Sequence, residues 1–236
     1  MHGMAWRSHL AEGLRPVVDL IYPPRCPLCG APLAAQGGLC IDCWSGLEVP
    51  ECSDGAPSAV TSEQGLKPDV IAASVYNDIS RQLILTFKHG GKIALAPLLA
   101  GLIAAKLPDA GSMESPPLLV PVPLHRLRLW ERGFNQAALL ARELAKSGKG
   151  ELAVDALVRR KRTPSLGGLG SEERKMALKG AITVRSSTAA RRIRGRNVVL
   201  VDDVLTSGAT SDACIDALVE AGAASVQIAC FARVEN

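Results

Sequence analysis

From about residue 70 onward, hydrophobic residues fall alternately into short continuous runs and helically spaced sets. The runs at 70–76, 118–122, 198–201 and 226–231 predict strands, and their lack of polar alternation marks them as buried on both faces. Helical spacing predicts helices over 80–88, ending at His89-Gly90-Gly91, and over 93–107, 135–146 and 211–221. Strands alternating with helices predict an α/β fold with a mostly parallel sheet and flanking helices. In such sheets ligands collect at the carboxyl ends of the strands.

Upstream the pattern changes. Leu10, Leu14, Val17, Val18 and Ile21 lie close to helical spacing, and Pro23-Pro24 ends that segment. Residues 50–68 are rich in Ser, Gly, Pro and Glu without periodicity and read as a linker. The predicted organisation is therefore an N-terminal helix and small module over 1–49, a linker over 50–68 and an α/β domain over 69–236.

Composition narrows the classes. The 236 residues, 47% of them hydrophobic, suffice for one full domain and a small addition. A net charge of +4 is too modest to announce a nucleic-acid binder, and three Trp, two Tyr and three Phe leave little for base stacking. No stretch approaches the roughly 20 apolar residues of a membrane span. No secretory signal is evident at the N-terminus, so a cytoplasmic location is expected.

The seven cysteines are unevenly placed. Cys26-x-x-Cys29 and Cys40-x-x-Cys43 form two tight pairs, the spacing by which four thiolates reach one tetrahedral zinc. Four thiolates close the coordination sphere, which makes the expected zinc structural. Two thioredoxin-like redox pairs are the alternative, but neither has a strand–helix context. Cys52 reads as a bystander, and Cys214 and Cys230 as core residues of an apolar helix and strand.

Two strand ends carry the candidate chemistry. The run 198–201 leads into Asp202-Asp203, followed by Val204-Leu205-Thr206-Ser207-Gly208-Ala209-Thr210. Gly208 permits close backbone approach, and the hydroxyls of Thr206, Ser207 and Thr210 can donate to phosphate oxygens at a helix start. The two acids are acceptor-only groups, suited to ribose hydroxyls or to a metal-bound diphosphate. The plainer reading is an acidic strand end with an ordinary helix cap. At the second strand end, Pro121-Val122-Pro123 leads into a predicted basic loop and a helix starting near Asn135. Arg126, Arg128 and Arg132 in that loop have guanidinium forks suited to diphosphate, with a solvated basic loop as the alternative.

The run from Val198 to Thr210 closely resembles the phosphoribosyl-pyrophosphate (PRPP) motif of type I phosphoribosyltransferases. That resemblance implies that Asp202 and Asp203 hold ribose, that Thr206, Ser207, Gly208, Ala209 and Thr210 cradle the 5′-phosphate, and that the ligand is PRPP or ribose 5-phosphate with Mg²⁺. The stretch Pro121-Val122-Pro123-Leu124-His125-x-x-Arg128-Leu129-x-x-Arg132-Gly133-Phe134-Asn135-Gln136 is similar to the signature of the ComF/GntX family. That family pairs a four-cysteine zinc module with a type I phosphoribosyltransferase domain, and it is associated with competence and DNA utilisation. The Phe87-Lys88 segment also falls in the family's order.

The resemblance implies phosphoribosyl transfer from PRPP to an unidentified nitrogen acceptor, with competence or DNA-uptake proteins as partners. A non-catalytic PRPP-sensing or nucleic-acid-associated adaptor is the alternative. Basic runs at Arg159-Arg160-Lys161-Arg162 and 191–196 read as solvated or pocket-flanking charges, with nucleic-acid contact as the other reading. The chain departs from its relatives at Trp130, where an arginine is common, and at Leu166, Ala177 and Ile182 in the region corresponding to the hood loop. Losing two amides there implies weak turnover.

Overall fold

The computed structural model describes residues 20–50, 68–89, 92–160 and 180–235. Residues 1–19 of the expected N-terminal helix, residues 51–67 of the expected linker with Cys52, Lys161, Arg162 and the hood positions Leu166, Arg174 and Ala177 lie outside the described residues. The chain divides into two compact units, the first ending at Gly46 and the second beginning at Leu47.

In the first unit an isolated antiparallel bridge joins Arg25 and Pro32 around the first cysteine pair. The second pair opens a short helix, α1 (Ile41–Ser45), with Cys40 as its N-cap. The unit's core is Cys26, Cys40 and Cys43, with the half-buried Leu28, Ala31, Leu33 and Leu39 against them. So little apolar surface is scant support for an independent fold.

The second unit is built on a five-stranded sheet in the order β1-β7-β6-β2-β3, every neighbouring pair parallel. The strands are β1 (Val70–Val75), β2 (Leu118–Pro121), β3 (Glu151–Leu152), β6 (Asn197–Leu205) and β7 (Ser225–Arg233). A separate antiparallel hairpin joins β4 (Leu157–Arg159) and β5 (Ile182–Val184). The helices are α2 (Asp78–His89), α3 (Ala96–Ala104), α4 (Arg126–Arg132), α5 (Gln136–Lys146), α6 (Ser187–Ile193) and α7 (Ala209–Glu220). Glu48 fastens the start of this unit: its carbonyl accepts from Val75 N–H and Ser74 Oγ–H, and its carboxylate from Asn77 Nδ2.

Strand alternation sorts the core. On one side Val198 and Leu200 of β6 and Val226 and Ile228 of β7 pack with Cys214, Ile215 and Leu218 of α7, Ile193 of α6, and Leu157 and Ile182 of the hairpin. Helices α3 and α5 pack together; α3 also meets β7, and α5 meets β6 and β2. Cys214 and Cys230 are fully buried, as their apolar surroundings in the sequence imply.

Several elements differ from the sequence-based expectation. The segment expected as one helix over 93–107 opens with a 3₁₀ turn, Ile93–Leu95, and becomes α-helical only at Ala96, which places Pro97 in the first turn where its missing N–H costs nothing. Strand β6 continues past Val201 through both acids to Leu205 because β7 offers partners as far as Arg233. Helix α7 begins at Ala209, two residues before the predicted start. The expected basic loop after β2 is helix α4: His125 Nδ1 accepts from Leu127 N–H at its start, and Gly133 closes it in a left-handed conformation. The short strands β3, β4 and β5 and helix α6 have too few residues to show a period.

Register at the sheet's far edge depends on Gly150. Its φ is +156°, and a Cβ there would stand 2.5 Å from the Pro117 carbonyl oxygen, the same oxygen that accepts from Glu151 N–H. Gly150→Ala should therefore push β3 off β2 and lower unfolding stability by about 1–3 kcal/mol, read as a lower midpoint in chemical denaturation.

Candidate ligand site at the carboxyl edge of the sheet

Strands β2 and β6 are parallel neighbours with Pro121 opposite Val201, so the chain leaves both at the same edge of the sheet. This juxtaposition brings together two segments that are far apart in sequence: Arg126 to Gln136 after β2, and Asp202 to Thr210 at the end of β6.

The adjacent acids point to opposite faces because they lie within a strand. Asp203 is buried, with 5% of its surface exposed, and its Oδ2 lies 3.0 Å from Lys88 Nζ at the carboxyl end of α2. Asp202 is half-buried, and its Oδ1 accepts from the Asp203 N–H at 2.8 Å. Burial above all, then the neighbouring Asp203 carboxylate, raises Asp202 to about 7, against the opposing influence of that N–H and of Lys88. The pair is thus asymmetric, one member ion-paired and the other poised near neutrality.

The loop expected to cradle phosphate follows directly. Thr206 and Ser207 are exposed, and Gly208 adopts φ +75° and ψ −14° as the N-cap of α7. No side chain caps this helix, so the N–H groups of Ala209, Thr210 and Ser211 have no partner within the helix. A Cβ at Gly208 would meet nothing closer than the Asp212 carboxylate, at 3.8 and 3.9 Å. The left-handed backbone, rather than crowding, is what requires glycine.

Across the edge, Arg126 and Arg128 stand exposed on α4, and Arg132 is half-buried with its Nη1 3.4 Å from Gln136 Oε1. Gln136 is 2% exposed, and its Nε2 has no hydrogen-bond partner among the described residues. Asn135 locks the turn between α4 and α5: its Nδ2 donates to the Val122 carbonyl, and its Oδ1 accepts from Ala137 N–H. Phe134 stacks obliquely on the fully buried Phe87, ring centroids 6.1 Å apart, tying this turn to the end of α2 that carries Lys88. Trp130 points away, 85% exposed.

Lys88 and Gln136 had no role assigned to them in the reading of the sequence, and Arg159 differs from its expectation. Lys88 was visible only as part of a Phe-Lys segment, with no spacing to connect it to Asp203. Gln136 entered only as the last residue of the family signature, with no role given to its side chain. Arg159, expected as solvated or pocket-flanking, is 7% exposed because strand alternation turns it inward with Leu157. A buried neighbour two residues away is the one local signal that pointed to it.

In the first unit the sulfurs of Cys26, Cys29, Cys40 and Cys43 all lie within 4.8 Å of one another, with Cys29 and Cys40 at 3.4 Å. A zinc tetrahedron with Zn–S near 2.3 Å needs sulfurs about 3.8 Å apart, so the cluster fits one ion. Burial raises the Cys43 thiol well above its ordinary value, as do the neighbouring sulfurs of Cys40, Cys26 and Cys29. Cys43 N–H faces Cys40 Sγ at 3.5 Å, a donor suited to a thiolate. Four thiolates at this spacing require a cation.

Comparisons with known proteins agree with both units. Residues 17–63 match the Double zinc ribbon domain family, and residues 130–235 match the Phosphoribosyl transferase domain family. DNA utilization protein YhgH of Escherichia coli K12 is 30% identical over 229 residues, covering 91% of this chain and 99% of the relative. Competence protein F of Haemophilus influenzae is 28% identical over 89% of this chain and 96% of its own length. Competence protein ComFC of Bacillus subtilis is 28% identical over 85% of this chain and 73% of its own. With its zinc-ribbon and phosphoribosyltransferase segments in this order and a 30% identical relative matched almost end to end, the chain belongs to the ComF/GntX family.

Proposed function

We propose that the second unit binds PRPP at the carboxyl edge of β2 and β6 and transfers its phosphoribosyl group to a nitrogen acceptor, in the service of DNA utilisation or competence. The observation that carries this reading is the asymmetric acid pair ending in an uncapped helix start, within a segment matching a phosphoribosyl transferase domain. The free N–H groups at Ala209, Thr210 and Ser211, with the hydroxyls of Thr206, Ser207 and Thr210, hold the 5′-phosphate. Asp202 and Asp203 accept from ribose hydroxyls and fix the sugar's orientation. Arg126, Arg128 and Arg132 hold the diphosphate. In transfer, the bond from C1 to the diphosphate breaks, the acceptor nitrogen bonds to C1, and the acceptor gives up its proton. Mg²⁺ bound to the diphosphate supplies charge neutralisation to the leaving group. The arginines orient that group and spread its developing charge. Zinc in the first unit is structural, because four cysteines leave no position for a reacting water.

Calorimetric titration with PRPP and Mg²⁺ tests the pocket. Gly208→Val, which forces a branched side chain onto a left-handed backbone, should abolish detectable binding, and Thr210→Ala should weaken it by about 1.5–3 kcal/mol. Full affinity in Gly208→Val, or no binding by the parent, would refute the assignment.

The Asp202 carboxyl predicts a pH dependence. Only its ionised form is a pure acceptor for ribose hydroxyls, so PRPP affinity should rise with pH through about 7. Asp202→Asn should retain only the ligand's own titration. In the ligand-free protein the effect on stability has the opposite sense. A raised carboxyl contributes stability fully below its unfolded value of about 3.9 and loses it as pH rises through about 7. Thermal unfolding of the parent against Asp202→Asn between pH 4 and 8 measures that loss.

For the metal, freshly purified reduced protein should contain one zinc per chain. Cys29→Ser should release it and unfold the first unit while leaving the far-ultraviolet signature of the sheet domain in place. Metal analysis and circular dichroism read the two effects separately.

A further inference from the structure

Gln136 opens α5 and is 2% exposed, although its side chain ends in an amide. Its backbone has little freedom. Asn135 caps the helix and donates to the Val122 carbonyl at 3.0 Å, and Phe134 lies against Phe87. Side chains in a helix lean toward its amino-terminal end. That lean carries Gln136 back across the turn to α4, where its Oε1 accepts from Arg132 Nη1 at 3.4 Å. The contact bridges the break that the left-handed Gly133 makes between the two helices.

A guanidinium has no acceptor, so the contact also settles which way the amide faces. Oε1 turns to Arg132 and Nε2 away from it. Nε2, itself buried, then has no hydrogen-bond partner among the described residues. An unpaired buried N–H is a net cost, and methionine would fill much the same space without it. The amide is therefore explained by its oxygen and not by its packing. At 3.4 Å the hydrogen bond is long and adds little stability; what it does is restrict the arginine. Restriction by an amide differs from restriction by a carboxylate, which Arg192 and Arg196 find in Glu151. A carboxylate cancels the charge that it holds. An amide orients the guanidinium and leaves its whole charge to an anion.

We infer that Gln136 is a positioning residue: it holds Arg132 in the orientation that meets the diphosphate, without neutralising it. That the anion is a diphosphate rests on the PRPP reading; the hold of Gln136 on Arg132 does not. An arginine side chain has several rotatable bonds, and fixing them beforehand removes an entropy cost from binding.

Two measurements on the full chain test this. In the ligand-free protein, the Arg132 guanidinium signal in nitrogen-15 NMR is assigned by its absence from Arg132→Met. In Gln136→Met it should become that of a freely rotating arginine, and this variant should melt no lower than the parent. Titration should show magnesium diphosphate, and PRPP with Mg²⁺, binding Gln136→Met about five-fold more weakly or worse. Ribose 5-phosphate, held at the α7 loop, should stay within about two-fold. In an Arg132→Met background the same substitution should change diphosphate affinity less than about two-fold, because a positioning residue has no effect without the group it positions. Gln136→Glu holds the arginine but cancels its charge, so the guanidinium signal should stay restricted while diphosphate affinity falls about five-fold or more. This variant decides the matter if Gln136→Met does not fold. An unchanged guanidinium signal in Gln136→Met, or undiminished diphosphate affinity in the folded variants, would overturn the inference. So would an equal loss for ribose 5-phosphate, or a full further loss in the Arg132→Met background. Should the parent bind diphosphate but not PRPP, with the variants behaving as stated, the PRPP reading falls and the positioning role stands. Should it bind PRPP while Gln136→Met binds it equally well, the positioning role falls alone. A parent that binds neither refutes both.

Discussion

The ion pair between Lys88 and Asp203 is the constraint around which the sheet's carboxyl edge is organised. Two adjacent carboxylates at the end of a buried strand repel each other and lose hydration together, and both effects disfavour charge. Lys88 neutralises one of them at 3.0 Å, with only 19% and 8% of the two side chains exposed. The other acid is left with its charge partly suppressed. Removing one partner of such a pair would strand the other charge in a poorly solvated place, an effect that commonly costs about 3–5 kcal/mol. The pair also fixes the end of α2 against the end of β6. Through Phe87 on Phe134 it reaches the turn that opens α5. One electrostatic contact and one aromatic contact thus hold three separate segments at the same edge.

The first unit solves a different physical problem by different means. Its core is three cysteines and four half-buried apolar residues, too little to offset the entropy of ordering a chain. Converging four thiolates would ordinarily be unfavourable through their mutual repulsion, and burial above all, then the neighbouring sulfurs, pushes the Cys43 thiol up. A bound cation turns the same repulsion into the unit's main stabilising interaction. In the second unit burial dominates and charge is tolerated at one edge; in the first, charge and metal replace burial.

The basic segment after β2 shows why loops are hard to read. Arg126 to Arg132 has no buried residue at all, so no hydrophobic period could reveal its helix. Its ends are set by His125 capping the first turn and Gly133 closing the last, both local hydrogen-bonding events. As a helix it sets Arg128 and Arg132 one turn apart on the same face of a rigid rod, with Arg126 on another face, where a loop would leave each to find its own position. Rigid presentation lowers the entropy lost when an anion is bound.

Much of this protein was legible from its residues. The continuous apolar runs of β1, β2, β6 and β7 declared a parallel sheet because strands buried on both faces cannot tolerate polar alternation. The two Cys-x-x-Cys pairs declared a metal site because only such spacing lets so short a segment converge four sulfurs. The acids, the hydroxyls and Gly208 declared a strand-to-helix turn because those residue types at that spacing suit a helix start. These are local properties of contiguous sequence. The tertiary structure decided what depends on partners distant in the chain. It brought Lys88 to Asp203 and turned the two acids to opposite faces by extending β6 along β7. It also drew Arg159 inward, although its neighbours in the same basic run give no hint of it. Pleating and strand pairing determine which side of a chain faces inward, and electrostatics then acts between whatever groups are placed there; neither can be computed from spacing along a single segment.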